Sequence, residues 1–306
     1  MGNPSPLRYP GGKYKLYKYV KHLIGLKKLD KSIYIEPFCG GAAVALNLII
    51  NNDVSEIIIN DYDKSIYSFW YSVLNYTDEL CNLIENTPIT MKEWYKQKKI
   101  QENKEFEKTL ELGFSTLFLN RTNRSGIIKA GVIGGMKQDG NYKMDCRFNK
   151  TAIIKKIRNI AKYSDRIKIY NLDAEEFINE VVKKLRKKSF IFFDPPYFAK
   201  GASLYTNFYN KENHVKLCEK IHTIKYHSWI VTYDNKKEIS DIYKNYRSEI
   251  YKLNYSAQNK YKGEEVIFYS RTLSRTIKEK QYIKNFLWLY LNIKYANIIC
   301  FYMPLF

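Results

Sequence analysis

The sequence predicts an α/β protein in which a doubly wound sheet carries one helical insertion. Short runs of β-branched and aromatic residues alternate with helical patterns at both ends of the chain, which is typical of a sheet covered by helices on both faces. Residues 76–164, between these two regions, show no reliable strand pattern. At 306 residues the chain is long enough to bury a large core.

Each element is predicted from its own residue pattern. Strands, indicated by short apolar runs, are expected at 32–36, 56–60, 166–170, 190–194, 228–233, 249–253 and 264–269. Helices are expected at 14–26, after residue 41, throughout 63–111, and at 151–163, 175–188, 214–226 and 238–245, with one amphipathic turn at 114–119. The chain therefore divides into a discontinuous sheet domain (1–75 and 165–270), the insertion (76–164) and a C-terminal appendage (271–306).

Composition favours a polyanionic partner and argues against a metal site. The net charge is +20, and basic side chains that neutralise phosphates attract nucleic acid. Abundant Lys, Asn, Ile and Tyr would also follow from AT-rich coding, so the charge alone does not establish nucleic acid as the partner. Five widely spaced cysteines without a Cys-x-x-Cys pair, and histidines without ligand spacing, indicate a reducing compartment and no zinc. The N-terminus shows no apolar signal segment.

One stretch carries the main chemical signal. Residues 190–193 read as a buried central strand, and Asp194, Pro195, Pro196 and Tyr197 follow at its end. The proline pair fixes the Asp194 carboxylate and the Pro195 carbonyl at the carboxyl edge of the sheet, where open α/β sheets bind ligands. Two acceptors beside an aromatic ring can hold an exocyclic amino group while its planar ring stacks. The alternative is a strand that ends in an ordinary Pro-Pro turn.

Two glycine turns indicate a nucleotide-binding site. Cys39 is followed by Gly40 and Gly41 between a strand and an alanine-rich helix start, which permits close approach of the backbone to a ligand. Asp61 ends the second strand about twenty residues later, where Rossmann-type folds place the acid that binds ribose. Because no pyrophosphate fingerprint precedes it, a single nucleoside is favoured over a dinucleotide. A second glycine pair precedes Lys13, which either approaches the ligand or is a solvated lysine at a helix entry.

The insertion contains a long glycine-spaced loop that begins near residue 120 and ends near residue 147. Loops of this length are usually functional or disordered. Arg121, Asn123 and Arg124 have side chains suited to bidentate contacts with the edges of guanine and adenine. We therefore predict DNA-binding roles for these three residues. The alternative is a mobile basic loop.

In their order along the chain, these motifs resemble those of the Dam-like, or D12, class of DNA adenine-N6 methyltransferases. The matching segments are 9–13 (Tyr-Pro-Gly-Gly-Lys), 36–41 (Glu-Pro-Phe-Cys-Gly-Gly), Asp61 and 194–197 (Asp-Pro-Pro-Tyr), with an Asn-Arg-containing insertion where the class carries its target-recognition region. The resemblance extends from about residue 5 to residue 270. Tyr9 stands where the class often has Trp, and residues 126–147 do not clearly match the members that read GATC, so the recognised sequence stays open.

The resemblance implies a site-specific DNA adenine-N6 methyltransferase with a Rossmann-like methyltransferase sheet and S-adenosylmethionine as cofactor. It also implies that adenine is flipped out of the duplex, that the Asp194 carboxylate and the Pro195 carbonyl accept from its amino group, and that Tyr197 stacks on it. The implied catalytic residues are Asp194, Pro195, Pro196 and Tyr197. The implied cofactor-binding residues are Tyr9, Lys13, Phe38, Gly40, Asp61, Asp173 and Asp194.

The expected partner is double-stranded DNA, without a metal or a stable membrane association, in the cytoplasm of a bacterial or phage-type system. Whether a cognate restriction endonuclease belongs to the system stays open. One competing function is an RNA or protein-amide N-methyltransferase with the same acid-Pro-Pro-Tyr site. Another is a DNA-binding module without catalysis, disfavoured because Lys13, Asp61 and Asp194 are all present. A dehydrogenase would need the missing pyrophosphate fingerprint.

The C-terminal residues lie beyond the resemblance. Residues 286–306 form an apolar run long enough for a membrane span, but Asn292, Lys294 and Asn297 interrupt it. A central lysine alone costs about 2.5–3.5 kcal/mol on insertion scales. We therefore expect residues beyond about 271 to be a dispensable appendage that packs loosely or not at all.

Overall fold

The computed structural model describes residues 2–9, 12–198, 209–256, 260–277 and 283. Within these residues, seven strands form one sheet. Their bounds are β1 (Ile33–Glu36), β2 (Glu56–Asn60), β3 (Ile167–Tyr170), β4 (Ser189–Phe193), β5 (Ser228–Asp234), β6 (Ser248–Ser256) and β7 (Lys260–Tyr269). The strands predicted from the sequence are confirmed. The last two are longer than predicted because polar residues in this antiparallel pair hide the strand pattern.

The strand order in the sheet is β3-β2-β1-β4-β5-β7-β6. β1 pairs in parallel with β2 and β4, and the parallel set extends outward to β3 and β5. β7 is antiparallel to both β5 and β6. The order reverses between the neighbours β1 and β4, and open α/β sheets bind ligands at the carboxyl ends of strands at such a reversal. The doubly wound fold is confirmed, and the reversal directs attention to Glu36 and Asp194.

Helices cover the sheet and form most of the insertion. Their bounds are α1 (Tyr17–Leu26), α2 (Ala43–Ile50), α3 (Lys64–Asn75), α4 (Thr77–Asn86), α5 (Met91–Glu102), α6 (Thr109–Thr122), α7 (Lys150–Ala161), α8 (Ala174–Glu180), α9 (Lys211–His222), α10 (Lys237–Ile242) and α11 (Arg271–Ser274). Asn210 and Asn213 form a capping box at the start of α9. This cap explains why α9 begins at residue 211 and not at the predicted residue 214.

α6 differs most from its prediction. The sequence indicated one turn at 114–119, but the helix has 14 residues (Thr109–Thr122). Most of its residues are buried, so its apolar side chains do not follow a single stripe and the helical period is hidden. Ser115 and Thr116 are buried within it and donate their hydroxyl protons to the carbonyls of Gln97 and Leu112, at 2.8 Å each.

Buried apolar side chains form two layers, one on each face of the sheet. One layer joins the sheet to the insertion, because Ile57 and Ile59 of β2 share a continuous cluster with Leu117 of α6 and Ile153 of α7. The other layer includes Ile191 of β4 and the apolar residues of α8, α9 and α10. Burial on both faces explains the uninterrupted apolar strands. Since the sheet and the insertion share one core, the domain boundaries at 76 and 164 stay predictions.

The start of the C-terminal appendage belongs to the core, which corrects the expectation that it packs loosely. Leu273 is 0 %, Ile277 2 % and Ile283 0 % exposed, and all three belong to the cluster that joins sheet and insertion. Arg247 donates to the Ile277 carbonyl, and the Ile283 amide donates to Glu249 Oε2 at 2.9 Å. The apolar run at 286–306 lies outside the described residues. Within the described ranges, no helix is both long and apolar enough to cross a membrane.

Candidate active site

A cavity of about 490 Å³ lies at the carboxyl ends of β1, β2 and β4. Its volume is within the range of small-molecule sites. Its wall combines the N-terminal loop, the glycine turn after β1, the tip of β2, the Asp-Pro-Pro-Tyr segment and part of the insertion. The predicted site residues in this wall are Tyr9, Lys13, Phe38, Gly40, Asp61, Asp194 and Pro196. The fold therefore brings most of the sequence-predicted site residues together.

Tyr9 shapes the glycine turn that follows β1. Gly40 has a φ of +44°, and a Cβ atom there would lie 2.5 Å from the Tyr9 ring. A Cβ atom at Gly41 would lie 2.9 Å from Tyr9 Cβ. Glycine is required here because it accepts both the backbone angle at Gly40 and the close approach of Tyr9. Trp70 of α3 also fixes the turn, since its indole N–H donates to the Gly40 carbonyl at 2.8 Å.

Asp61 is fixed beside this turn, just after β2. Its Oδ2 accepts the Gly40 N–H at 2.9 Å, and its Oδ1 accepts the Asp63 N–H at 3.0 Å. Burial, together with the charge of Asp63, raises the pKa of Asp61 to about 7, although the two backbone donors oppose the shift. A carboxylate in this position suits the vicinal hydroxyls of a ribose. The ribose-binding role of Asp61 stays a prediction, and the geometry favours it.

Glu36, at the end of β1, is a buried site residue for which the sequence analysis predicted no role. It is 6 % exposed and accepts from the Tyr34 hydroxyl at 2.9 Å and from the Ala45 N–H at 3.0 Å. Burial raises the pKa of Glu36 to about 8, and the charge of Asp194 adds to this. Glu36 thus ties β1 to α2 within the cavity wall. The described residues contain no group of three His, Cys, Asp or Glu side chains placed to bind a metal ion.

Asp194 follows β4 and is held through one of its two carboxylate oxygens. Oδ1 accepts the Thr232 hydroxyl at 2.8 Å and pairs with the Lys13 ammonium at 3.0 Å. Among the residues that the structure describes, none donates a hydrogen bond to Oδ2. Burial raises the pKa of Asp194, while Lys13 opposes this rise and Glu265 adds to it. The carboxylate is therefore oriented by the protein and keeps one oxygen for a ligand.

Glu265 of β7 completes a buried network around Lys13 and Tyr197. The Lys13 ammonium donates to the Tyr197 hydroxyl and lies 3.5 Å from Glu265 Oε1. The Tyr197 hydroxyl donates to Glu265 Oε1, and the Tyr251 hydroxyl donates to Glu265 Oε2 at 2.5 Å. Lys13 is 5 % and Glu265 1 % exposed. Glu265 could not be recognised from the sequence, because its segment shows only a strand pattern, with no motif to mark the carboxylate.

Tyr197 is buried and is not among the residues that line the cavity. Its side chain is 8 % exposed, and the Lys13 ammonium lies 4.7 Å from the ring centroid. The ring is thus packed into the buried network, while Pro196 and Tyr209 line the cavity. Stacking of Tyr197 on a base stays a prediction, and it requires the ring to leave its contact with Lys13.

Asp173 is not among the residues that line the cavity, and its side chain caps a helix. Its Oδ1 accepts the Glu175 N–H at 2.8 Å at the start of α8. Burial raises the pKa of Tyr209, a residue of the cavity wall, and the charge of Asp173 adds to this rise. Tyr209 also contacts Phe38 edge-on, with ring centroids 6.1 Å apart. A contact between Asp173 and a cofactor adenine stays a prediction.

Residues 9–259 match the family of D12 class N6 adenine-specific DNA methyltransferases. The chain belongs to this family. The match includes the glycine turn, Asp61 and the Asp-Pro-Pro-Tyr segment, and it confirms the resemblance inferred from the sequence. A DNA methyltransferase requires a methyl donor, which implies a cofactor of the S-adenosylmethionine type.

Two relatives are named type II methyltransferases. M.MjaIII of Methanocaldococcus jannaschii is 25% identical over 208 residues, which cover 62% of this chain and 68% of that protein. M1.LlaDCHI of Lactococcus lactis subsp. cremoris is 24% identical over 202 residues, which cover 62% of this chain and 64% of that protein. Among solved structures, the rRNA methyltransferase aviRa of Streptomyces viridochromogenes aligns over 88% of this chain and 89% of its own, at 10% identity and a TM-score of 0.41.

The cavity of this D12-class chain fits the cofactor that its family requires. The glycine turn leaves no room for a Cβ atom at Gly40, so the backbone itself forms that part of the wall. Asp61 offers a carboxylate for hydroxyl groups, and Phe38 and Tyr209 add aromatic surface. Asp194 adds a negative charge that suits a sulfonium cation. These residues would hold a nucleoside with a short charged side chain.

The insertion of this D12-class chain supplies one wall of the cavity. Asn120 of α6 accepts the Arg8 N–H at 2.7 Å and donates to the carbonyls of Arg8 and Gly126 at 3.0 and 2.8 Å. Gly126 has a φ of +76°, and a Cβ atom there would collide with the Arg8 carbonyl. Ile127 and Lys129, which follow, line the cavity. The insertion is thereby joined to the N-terminal loop that carries Lys13.

Asn123 shapes this loop from within, which corrects its predicted contact with a base. It is 0 % exposed. Its Oδ1 accepts the Trp94 indole N–H at 2.7 Å, and its amide donates to the carbonyls of Ile127 and Ile128 at 3.2 and 2.8 Å. The side chain therefore has its hydrogen bonds within the protein and no surface to offer to DNA.

The two arginines of the predicted DNA-binding set differ in position. Arg121 donates to the carbonyls of Pro6 and Arg147, and burial lowers the pKa of its guanidinium to about 10. Arg124 is exposed, and its backbone N–H donates to the Gly131 carbonyl at 3.0 Å. Arg121 thus holds the insertion to the N-terminal loop, whereas Arg124 presents its side chain to solvent.

Proposed function

We propose that this chain transfers the methyl group of S-adenosylmethionine to the N6 amino group of an adenine in double-stranded DNA. The observation that carries the proposal is the Asp194 carboxylate at the cavity wall. Thr232 and Lys13 hold it through Oδ1, so Oδ2 can accept from a substrate amino group. Membership of the D12 class supports adenine and DNA as the substrate.

The chemistry needs acceptors because the adenine amino group is a weak nucleophile. Its nitrogen lone pair is delocalised into the ring, and hydrogen bonds to the Asp194 carboxylate and the Pro195 carbonyl would orient it toward the methyl carbon. S-adenosylmethionine supplies an electrophilic methyl group when bound. The negative charge of Asp194 stabilises the positive charge that develops on N6. Transfer would form one bond from N6 to the methyl carbon and break the bond from that carbon to the sulfonium sulfur, leaving a neutral thioether. N6 would also lose one proton, which the Asp194 carboxylate can accept.

Direct transfer requires no covalent bond to the protein. Cys39, in the glycine turn, is buried, and burial raises the pKa of its thiol, with Asp61 adding to the rise. A thiol in this environment is inert, because the reactive form is the thiolate. Cys39 is therefore assigned to the structure of the turn.

The substrate base must leave the duplex to reach this site. Stacking and pairing hide N6, and enzymes that modify a base flip it into a pocket. Tyr197 is the predicted stacking partner, with its ring released from Lys13. Lys13 lines the cavity, but its ammonium is paired with Asp194 and Glu265, so we assign it to orienting Asp194. Asp61 is assigned to the ribose hydroxyls of the cofactor.

The proposal is tested by offering the purified protein three methyl acceptors with labelled S-adenosylmethionine. The acceptors are random-sequence duplex DNA, RNA of matched length and a glutamine-containing peptide. We expect label in duplex DNA, found as N6-methyladenine by mass spectrometry of the nucleosides. Label confined to RNA or to the peptide would establish the competing methyltransferase function. Cofactor binding without transfer to any acceptor would support a DNA-binding module.

Arg124→Ala is expected to relax the choice of DNA sequence. If the guanidinium contacts a base edge bidentately, its loss costs about 1–3 kcal/mol of discrimination at one base pair. Sequencing of methylated sites in a random DNA pool measures the effect. Arg124→Lys is the matched control, because lysine keeps the charge but lacks the bidentate fork. Preserved specificity in Arg124→Lys, with uniform weakening in Arg124→Ala, would mark Arg124 as a phosphate contact.

A cognate restriction endonuclease and a cytoplasmic location stay predictions. The two relatives carry the words type II methyltransferase in their names. If the chain protects its host DNA, plasmids from cells that express it will resist a nuclease that cuts the same sequence. The sites identified in the random pool tell which nucleases to use.

A further inference from the structure

We propose that Glu265 is a positioning residue for methyl transfer, which holds Lys13 and Tyr197 in place and gives the buried group of Lys13, Asp194 and Glu265 a net negative charge. The inference rests on the proposed function and adds a residue of β7 to the site. Glu265 lies on β7, an antiparallel strand that carries none of the sequence motifs. At 1 % exposure its carboxylate is removed from solvent.

Lys13 lies between two carboxylates of the described part of the chain. Its ammonium lies 3.0 Å from Asp194 Oδ1 and 3.5 Å from Glu265 Oε1. With all three groups ionised, the charges +1, −1 and −1 add to −1. Coulomb interactions are stronger in a buried site than in water, so this excess negative charge acts on the adjacent cavity. Without Glu265, Lys13 would neutralise Asp194 and weaken it as an acceptor.

Glu265 also anchors the Asp-Pro-Pro-Tyr segment to the sheet. Its Oε1 accepts the Tyr197 hydroxyl, and its Oε2 accepts the Tyr251 hydroxyl of β6 at 2.5 Å. Glu265 is paired in register with Asp234 of β5, whose Oδ1 accepts the Phe198 N–H at 3.0 Å. The two neighbouring strands therefore hold consecutive residues after Pro196. Carboxylates on both strands fix the segment that carries the acceptors.

This network of charged groups predicts how kcat/KM depends on pH. Among the residues that the structure describes, the titratable groups around Asp194 include Lys13 from the N-terminal loop, Tyr34 and Glu36 from β1, Tyr251 from β6 and Glu265 from β7, with Tyr197 joined through Lys13. The active form of Asp194 is the carboxylate, which is lost as the pH falls through its pKa. Because Glu265 raises that pKa, removing its charge lowers the pKa of Asp194. The acid limb of kcat/KM, which reports the free enzyme, then moves to lower pH.

Glu265→Gln is the test, with Glu264→Gln as the matched control. Glu264 is the exposed neighbour on the same strand, where successive side chains point to opposite faces, and it pairs with Lys252 at 3.2 Å. We expect Glu265→Gln to lower kcat about 10- to 100-fold through misplacement of the segment. Its affinity for S-adenosylhomocysteine stays within about twofold of the wild-type value, and the acid limb moves to lower pH. Glu264→Gln matches the wild type in all three measurements.

Glu265→Asp separates the charge from the shape of the side chain. It keeps the charge, so its acid limb stays at the wild-type pH even where kcat falls. A Glu265→Gln enzyme with wild-type kcat, or with lower kcat and an unmoved acid limb, overturns the inference. If Glu265→Gln does not fold, Tyr251→Phe removes one hydrogen bond to the same carboxylate, and we expect a several-fold lower kcat; wild-type kcat overturns the inference. Failure of the proposed function is distinguished because the wild-type protein would then methylate no adenine.

Discussion

Asp194→Ala is expected to abolish methyl transfer while the protein remains folded. The change removes one of two acceptors for the amino group and the charge that stabilises the transition state, a loss of about 3 kcal/mol or more, equivalent to at least a hundredfold in kcat. Stability changes less, because Lys13 keeps Glu265 as a partner at 3.5 Å and no buried cation is left unpaired. Single-turnover methylation of duplex DNA measures the chemical step, and thermal unfolding checks the fold.

Two further variants sharpen this result. Asp194→Asn keeps the shape of the side chain and an oxygen that can accept from Thr232, but it lacks the negative charge. Its activity tells whether charge or hydrogen bonding contributes more. Asp241→Ala removes an exposed carboxylate from α10 and should retain full activity. Turnover retained by Asp194→Ala would contradict the assignment of the site.

The strands and the glycine turn could be predicted because each follows from local chemistry. Buried parallel strands are continuous apolar runs, so residues 190–193 and 56–60 stand out from their polar surroundings. The glycine turn needs a positive φ at residue 40, which glycine adopts at low cost, so the turn can be recognised from the glycine pair in the sequence. Carboxylates that end such strands, Asp61 and Asp194, then meet at one edge of the sheet. The core of the candidate site was predictable for this reason.

The partners of these carboxylates could not be predicted, because they come from distant parts of the chain. Glu265 is 71 positions after Asp194 (265 − 194), on a strand whose place beside β5 is a property of the whole sheet. The burial of Tyr197 depends on the hydroxyl contacts of Lys13 and Glu265. A sequence pattern records which residue types are present and does not record which of them face each other.

In the insertion, too, contacts between separate elements could not be predicted from the sequence. Asn123 and Arg124 are neighbours with similar capacity to bind base edges, yet one is 0 % exposed and the other lies in solvent. The difference arises because Trp94 of α5 donates to Asn123, a contact between separate elements. The length of helix α6 was underestimated because burial on most sides removes the amphipathic period. Both errors follow from tertiary packing.

Ending the chain after Arg271 is expected to destabilise the protein strongly, compared with ending it after Lys284. The two truncations differ by residues 272–284, which include the fully buried Leu273, Ile277 and Ile283. Burial of such side chains contributes about 1.5–3 kcal/mol each. The shorter chain also removes the hydrogen bonds that Arg247 and Glu249 make to this segment. Chemical denaturation of both proteins measures the difference in the free energy of unfolding.

The comparison isolates the described part of the segment from the apolar run at 286–306, since both truncations lack that run. Leu273→Ala in the full chain is the control for a single side chain, with an expected loss of about 2–5 kcal/mol for a buried leucine. The full chain with Leu273→Ala should unfold at a higher denaturant concentration than the chain that ends after Arg271. Equal stability of the two truncated proteins would restore the expectation that residues 272–284 pack loosely and are dispensable. The same core cluster joins the sheet to the insertion. We therefore expect the chain that ends after Arg271 to lose methylation along with its stability.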